Sequence, residues 1–344
     1  MKSVVSVLKY IAMLGVGIFL LWLVLHNHSF DEILKEIGNI HYTYIVIAFV
    51  AGVISHYSRA IRWNLLINPM GYKTSDFNSF LGVMIGYLAN LALPRMGEIS
   101  RCVVVSRTNK VPVEKLIGTV IVERIIDVIG LLVILLLTLI LEFDKLKVFF
   151  VDNLGSKLSG STASLLTTTN ILITVSFFAL SIFALVFIWK KYKEASFILK
   201  IRRFLAGFVE GLKSLRHMKK LPLFIFHSAL IWSMYYFQIY ICFFALSSTE
   251  NLSAVAALSV LVMGSFGMVV PVQGGIGAYH AAVSETLKLY GLAATDAITF
   301  AFIAHTFQMI VVLILGGFSF LALTIVTRKN KRNEPLAENQ AEAV

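Results

Sequence analysis

Apolar and polar positions along the chain separate into long blocks. Nearly uninterrupted apolar stretches run over about 5–25, 43–67, 115–141, 167–189, 221–246 and 295–326. Each is as long as the about 20 residues a helix needs to cross the hydrocarbon core of a bilayer. Two more, 77–93 and 253–270, are shorter, and each runs into a proline with glycine soon after it. The pattern predicts an all-α, polytopic integral membrane protein. The first apolar run follows Lys2 and Lys9 and has no small-residue cleavage site behind it, so it reads as an uncleaved span.

Loop charges orient the spans, because cations accumulate on the cytoplasmic side. The first loop, 26–42, sets Asp31, Glu32 and Glu36 against Lys35 and is expected outside. Arg59, Arg62 and Lys73 mark the opposite side. The stretch 190–220 holds ten Lys or Arg and two Glu, and the tail opens with Arg328, Lys329, Lys331 and Arg332. Both belong inside, so both termini are expected in the cytoplasm of a cell (inner) membrane. Residues 95–115 carry Arg95, Arg101, Arg107, Lys110 and Lys115 and also belong inside. Six full spans meet these demands if 77–113 and 253–290 are re-entrant hairpins opening to opposite sides. The alternative, in which both short segments cross, gives eight spans and puts 95–114 outside.

Each hairpin is followed by a long span with polar residues in its first half. Residues 77–141 and 253–326 therefore form a candidate inverted repeat, an arrangement in which broken helices meet near the membrane midplane. Within the membrane domain, 1–327, the stretch 193–219 places Phe197, Ile201, Phe204, Leu205, Phe208 and Leu212 on one helical face with cations beside it. It is expected to lie on the anionic cytoplasmic surface. The tail 328–344 turns polar and is expected to be disordered.

Composition narrows the function classes. Apolar residues make up 58% and charged residues 14% of the chain, and mean hydropathy is +0.83. No polar segment approaches the roughly 50 residues of a small soluble domain. The net charge of +11 lies mainly in loops between spans, so it does not point to nucleic acid. Cys102 and Cys242 lie in or beside membrane segments and offer neither a disulfide framework nor a metal-type pair. His26, His28 and His41 are loop histidines, expected to be solvated rather than metal-bound. No metal and no cofactor is expected.

The candidate chemistry lies where charge enters apolar sequence. "LPRMGEISR" sets Arg95, Glu98 and Arg101 behind Pro94. "VERIID" places Glu123, Arg124 and Asp127 on one helical face, with Glu123 and Asp127 about 40° apart. Charges inside a membrane are costly and face protein or water, so this is either an ion network that holds the fold or a functional site. A helix N-terminus at Pro94, with arginines beside it, would attract an anion. "GGIGAYH" supplies Gly274, Gly275, Gly277 and His280 at a second such tip, with Glu285 and His305 near it in sequence. Alanine at Arg95 or Arg101 is expected to slow lipid movement with little change in stability.

"LPRMGEISR", "VERIID", "GGIGAYH" and "RAIRWNLL" together resemble the lysylphosphatidylglycerol synthase transmembrane family over roughly 5–326. That resemblance implies a flippase-like, lipid-translocating fold, with Pro94, Arg95, Gly97, Glu98, Arg101, Glu123, Arg124 and Asp127 on motif positions. The chain departs from the family pattern at His280, where an acidic residue is usual, and near Val272–Gln273. It resembles the flippase half alone, without the soluble aminoacyl-transferase domain. The expected function is translocation of an anionic phospholipid or lipid-linked phosphate, by a protein that is not an enzyme. The competing reading is an integral-membrane enzyme acting on polyprenyl-phosphate-linked sugars; a membrane scaffold is the third.

Overall fold

The structure is a computed structural model that describes residues 15–16, 18–22, 36, 38–93, 96–142 and 218–341, with side chains as far as Thr327. Pro94 and Arg95, most of the first apolar run, the run 167–189, nearly all of 193–219, and His26 and His28 lie outside these residues. The chain divides into two compact units, Met1–Thr138 with Met218–Val344, and Leu139–His217. The first unit holds the elements described below, except for the last three residues of α4.

Among the described residues every regular element is helical. The α-helices are α1 (Tyr42–Ile67), α2 (Asp76–Ala92), α3 (Gly97–Asn109), α4 (Val113–Leu141), α5 (Leu221–Phe243), α6 (Ala254–Val269), α7 (Ala278–Lys288) and α8 (Ala294–Ala341). α8 runs on into the polar tail as far as Ala341, where composition alone favours disorder. Among the described residues three stretches are able, by length and composition, to cross a membrane: Tyr42–Met70, Val113–Leu141 and Ala294–Thr327. Their outer faces stay apolar: Leu132, Val133, Leu136 and Ile140 on α4, and Leu313, Ile314, Phe318, Leu321 and Ile325 on α8, are all exposed. Soluble monomers rarely expose continuous apolar faces of this kind, and lipid is the solvent that suits them.

Local chemistry sets where the helices start and stop. Ser75 caps α2 by accepting from Asn78 N at 3.1 Å, and Asp76 adds a negative charge in the first turn. Ser253 caps α6 in the same way, from Ala256 N at 3.2 Å. Both helices then end before a proline. Leu93, preceding Pro94, is extended (φ −138, ψ 112), and Val270, preceding Pro271, also leaves the helical region. Proline disfavours the helical conformation in the residue before it.

After each break the chain turns back on itself. α2 packs against α3, and α6 against α7. The far ends of each pair meet: Asn109 Nδ2 donates to Lys73 O at 3.2 Å, and Ser259 Oγ lies 2.7 Å from Tyr290 Oη. Glycine closes both hairpins. A Cβ on Gly86 would come 2.8 Å from Gly97 O, and one on Gly267 would come 2.8 Å from Tyr279 Cα. Small residues on the first arm thus let the start of the second arm approach backbone to backbone.

α1 packs against α5 and α2, and α8 against α2 and α7. One core joins Trp63, Ile67, Val83, Cys102, Val105, Leu116 and Val120 from α1 to α4. A larger one joins Ala48 of α1 to α5 through α8, with Phe243 and Phe300 5.1 Å apart at ring centres, and a small third one joins Ala60, Phe80 and Met84. The two breaks approach each other. The turn Gln273–Gly275 packs against α2, and a Cβ on Gly274 would lie 3.2 Å from Leu91 Cδ2, two residues before the first break.

Candidate functional site

A charged network lies where α1, α3 and α4 meet. Asp127 on α4 accepts from Arg59 Nη1 at 2.7 Å and from Arg62 Nη2 at 2.7 Å, and lies 3.6 Å from Arg124 Nη1. Glu123, one turn earlier, receives Arg62 Nη2 at 3.4 Å and lies 2.8 Å from Arg101 Nη2. Arg124 Nη2 donates to Glu98 at 2.8 Å, across from α4 to the first turn of α3. Four arginines (59, 62, 101, 124) face three carboxylates (98, 123, 127), so the ionised cluster carries one net positive charge.

Burial grades across it. The Arg62 and Glu123 side chains are fully buried, and Arg101 and Arg59 nearly so, while Arg124 and Glu98 are 42% and 32% exposed. The inner charges are held by packing as well as by pairing. Arg101 stacks over Trp63 at 4.6 Å, and Trp63 in turn donates to Thr119 Oγ1 at 2.8 Å. Such a cation over a tryptophan away from water contributes about 2 kcal/mol. α5 adds Ser228 Oγ to Arg62 and Tyr235 Oη to Arg59, each at 3.3 Å.

The partly exposed end opens on a recess at the first break, lined by Tyr87, Asn90, Gly97, Glu98, Arg101 and Arg124. Its cavity volume is only about 10 Å³, about the room that one water needs. A phosphate group would enter only after the hairpin and α4 separate.

The sequence-predicted residues fall into two clusters. Glu98, Arg101, Glu123, Arg124 and Asp127 come together in the network; Arg95 lies outside the described residues. Arg101 is buried, not a charge in an open cavity as the sequence alone would have it. α3 begins at Gly97 rather than Pro94, and Gly97 N–H is already taken by Asn90 Oδ1 at 2.7 Å. The arginine guanidinium groups, more than the helix terminus, therefore supply the positive character of this end.

Gly274, Gly275, Gly277, His280 and His305 form the second cluster, at the second break. All three glycines have positive φ (57, 77 and 79), which side-chain-bearing residues rarely adopt. His305 Nε2 lies 2.7 Å from Gly274 O, and Gly277 N–H donates to His280 Nδ1 at 3.2 Å. The cap N–H of α7 is thus occupied, as Gly97 is on the first hairpin. Glu285 is exposed and pairs with Lys288 at 2.7 Å, so it adds nothing to this tip. Among the described residues no group of three metal-ligating side chains comes together. Cys102 and Cys242 are free and buried.

Arg59 and Arg62 were read from the sequence as orientation markers, yet they are central to the network. Their spacing was the available signal: two arginines three apart share a helix face, well before the end of a span. Tyr235, Ser228 and Asn90 had no such signal, because only tertiary packing brings them in.

Comparison with known proteins bears on the whole arrangement. The model of the lysylphosphatidylglycerol synthase TM region matches residues 10–316. A UPF0104 membrane protein of Methanocaldococcus jannaschii is 31% identical over 100 residues, which cover 28% of this chain and 30% of that protein. Another, from Pyrococcus horikoshii, is 21% identical over 321 residues, covering 90% of this chain and 95% of that protein. No solved structure matches. The chain belongs to the lysylphosphatidylglycerol synthase transmembrane region family, and it is a membrane protein.

Proposed function

We propose that this protein is a non-enzymatic translocase, which moves an anionic phospholipid or a lipid-linked phosphate between the leaflets of the cell membrane. The observation that carries this reading is the graded network: buried Arg59, Arg62 and Arg101 behind a partly exposed Arg124–Glu98 pair at a helix break. Its net charge of one positive suits a phosphodiester, and guanidinium engages phosphate in two-pronged fashion. Glu98 holds Arg124 until a phosphate replaces it.

The hairpins supply the path. α2, α3, α6 and α7 have 17, 13, 16 and 11 residues, or about 26, 20, 24 and 17 Å at 1.5 Å per residue. All fall short of the about 30 Å hydrocarbon core. We therefore read them as re-entrant, from opposite sides, with their tips meeting near the midplane. The glycine-closed arms, the proline breaks and the contact between tips support an inverted repeat. Arg124 returning to Glu98, and His305 returning to Gly274, give each long span the same relation to its own hairpin. The headgroup crosses between the tips while the tails stay in the bilayer, and rocking of one repeat opens the recess to each leaflet in turn.

The enzyme reading is less well supported, because arginines already occupy Glu123 and Asp127, where a metal or general base would be needed. Purified protein in liposomes separates the two. Phosphate-bearing lipids with a labelled headgroup should become accessible across the bilayer, and polyprenyl-phosphate sugar should not be consumed. Sugar transfer without headgroup inversion would sink the proposal.

A further inference from the structure

The second break is built around two histidines that lipid binding at the network leaves unused. Gly277 N–H donates to Nδ1 of His280. That nitrogen therefore holds a lone pair, and the ring proton sits on Nε2. Nε2 is buried and has no hydrogen-bond partner among the described residues. On α8, His305 Nε2 lies 2.7 Å from Gly274 O. A carbonyl only accepts, so this nitrogen carries the proton and Nδ1 holds the lone pair. The rings are 4.6 Å apart, and the residues are 2% and 3% exposed.

Their surroundings are nearly free of charge. Tyr279 on α7 lies with its ring 5.1 Å from His305, and Cys242 on α5 is near enough to Tyr279 to act on it. α6 carries no titratable side chain, and α8 sets Phe302 against His280 at 5.7 Å. α2 meets this tip through Leu91. Among the described residues no carboxylate or cation pairs with either imidazole.

We propose that His305, with His280 beside it, is a one-proton site that couples proton binding to opening of the second break, and so makes lipid movement proton-dependent. Only the lipid half of this rests on the translocase reading. The proton bonds to Nδ1 of His305, where no hydrogen bond has to give way. The imidazolium is then a charge with no carboxylate beside it, and holding it away from water costs more than a stronger bond to Gly274 O returns. The ring turns toward water, the bond to Gly274 is lost and the tip leaves Leu91. His280 limits the site to one proton. It could gain another only at Nδ1, where Gly277 N–H points, at the positive end of α7 and beside a charged ring. Loss of the proton to water on the opposite side restores the neutral ring, its bond to Gly274 and the closed tip.

Two measurements test this on the full-length protein. In the first, hydrogen exchange of residues 270–277, corrected for intrinsic rates, is compared at about pH 4.5 and about pH 8, a window wide enough for a buried imidazole to take up a proton. Wild type should be less protected at the lower pH. His305→Gln keeps a side-chain N–H for Gly274 but takes no proton, and its protection should be the same at both. His280→Gln retains a capping acceptor and should still show the pH effect. In the second, flipping of a labelled anionic phospholipid and internal pH are followed together in liposomes. The ratio of wild-type rates at the two pH values should reach about tenfold, and His305→Gln should bring it within about twofold. A pH effect on protection without any lipid movement sinks the translocase reading and leaves the proton site standing. Protection that does not depend on pH in wild type, or an unaltered pH profile in His305→Gln, overturns the proton site.

Discussion

Arg101 Nη2 lies 2.8 Å from Glu123 Oε2, across from α3 to α4, and Glu123 is completely buried. The pair fixes the second arm of the first hairpin to the following span. Removing one partner of such a pair leaves a buried charge uncompensated, at a cost of about 3–5 kcal/mol. Arg62, at 3.4 Å from Glu123, offsets part of that. Arg101→Ala should therefore lower the midpoint of thermal unfolding in detergent, and Arg101→Met with Glu123→Gln should recover most of the loss. If the double substitution is no better than Arg101→Ala alone, the two charges do not act on each other.

The Arg124–Glu98 pair behaves differently because water reaches it. At 42% and 32% exposure, it contributes at most about 1 kcal/mol to stability. Glu98→Gln should leave unfolding almost unchanged and tighten binding of phosphate-bearing lipid, since Arg124 loses its competitor. Arg124→Ala should weaken that binding, and Arg124→Lys should fall between, lacking the two-pronged contact. Lipid binding followed by fluorescence quenching in detergent measures all three. Weaker binding in Glu98→Gln would show that the carboxylate helps to hold the ligand instead of competing with it.

Asn109 lies beside Lys73, where a hydrogen bond joins them, and the proposed re-entrant hairpin puts both on the cytoplasmic side. A cysteine at Asn109 should then react with membrane-impermeant thiol reagents from the cytoplasmic side, and one at Asn251 from the other. The two native cysteines are buried and give little background. Labelling of the Asn109 cysteine from outside alone would replace the hairpins with crossing helices.

The helical fold and the breaks were legible because both are local. Apolar runs of membrane length, Ser75 and Ser253 as caps, and Pro94 and Pro271 as terminators act within a few residues. "VERIID" was legible too, because three charges in an apolar run have no bland explanation. Arg59 and Arg62 were misread because a cation late in a span serves equally well as an orientation marker. The partner that decides is Asp127, 65 residues beyond Arg62, and nothing local encodes that pairing. Arg101 was placed in the network, but its burial depends on Trp63 covering it. The meeting of the second tip with Leu91 was expected in kind, though not in its residues.

Glycine closes both hairpins at the same place, between the end of the first arm and the start of the second. A Cβ on Gly97 would strike Gly86 O and come 2.5 Å from Asn90 Nδ2. One on Gly267 would come 2.9 Å from Ala278 O, and backbone cannot swing aside as a long side chain can. Gly97→Ala and Gly267→Ala should therefore each destabilise by about 1–3 kcal/mol, the usual cost of overpacking. Gly118 on α4 has nothing within 4 Å of the same position, so Gly118→Ala should be neutral or stabilise by up to about 1 kcal/mol through helix propensity alone. The contrast separates close approach from a general intolerance of change. Thermal unfolding of the three variants in one detergent is sufficient, and flipping in liposomes should fall for the first two, because a forced-apart hairpin misplaces its tip. If Gly97→Ala and Gly267→Ala unfold no more readily than Gly118→Ala, the arms are not closed by glycine and the tips are free to sit elsewhere.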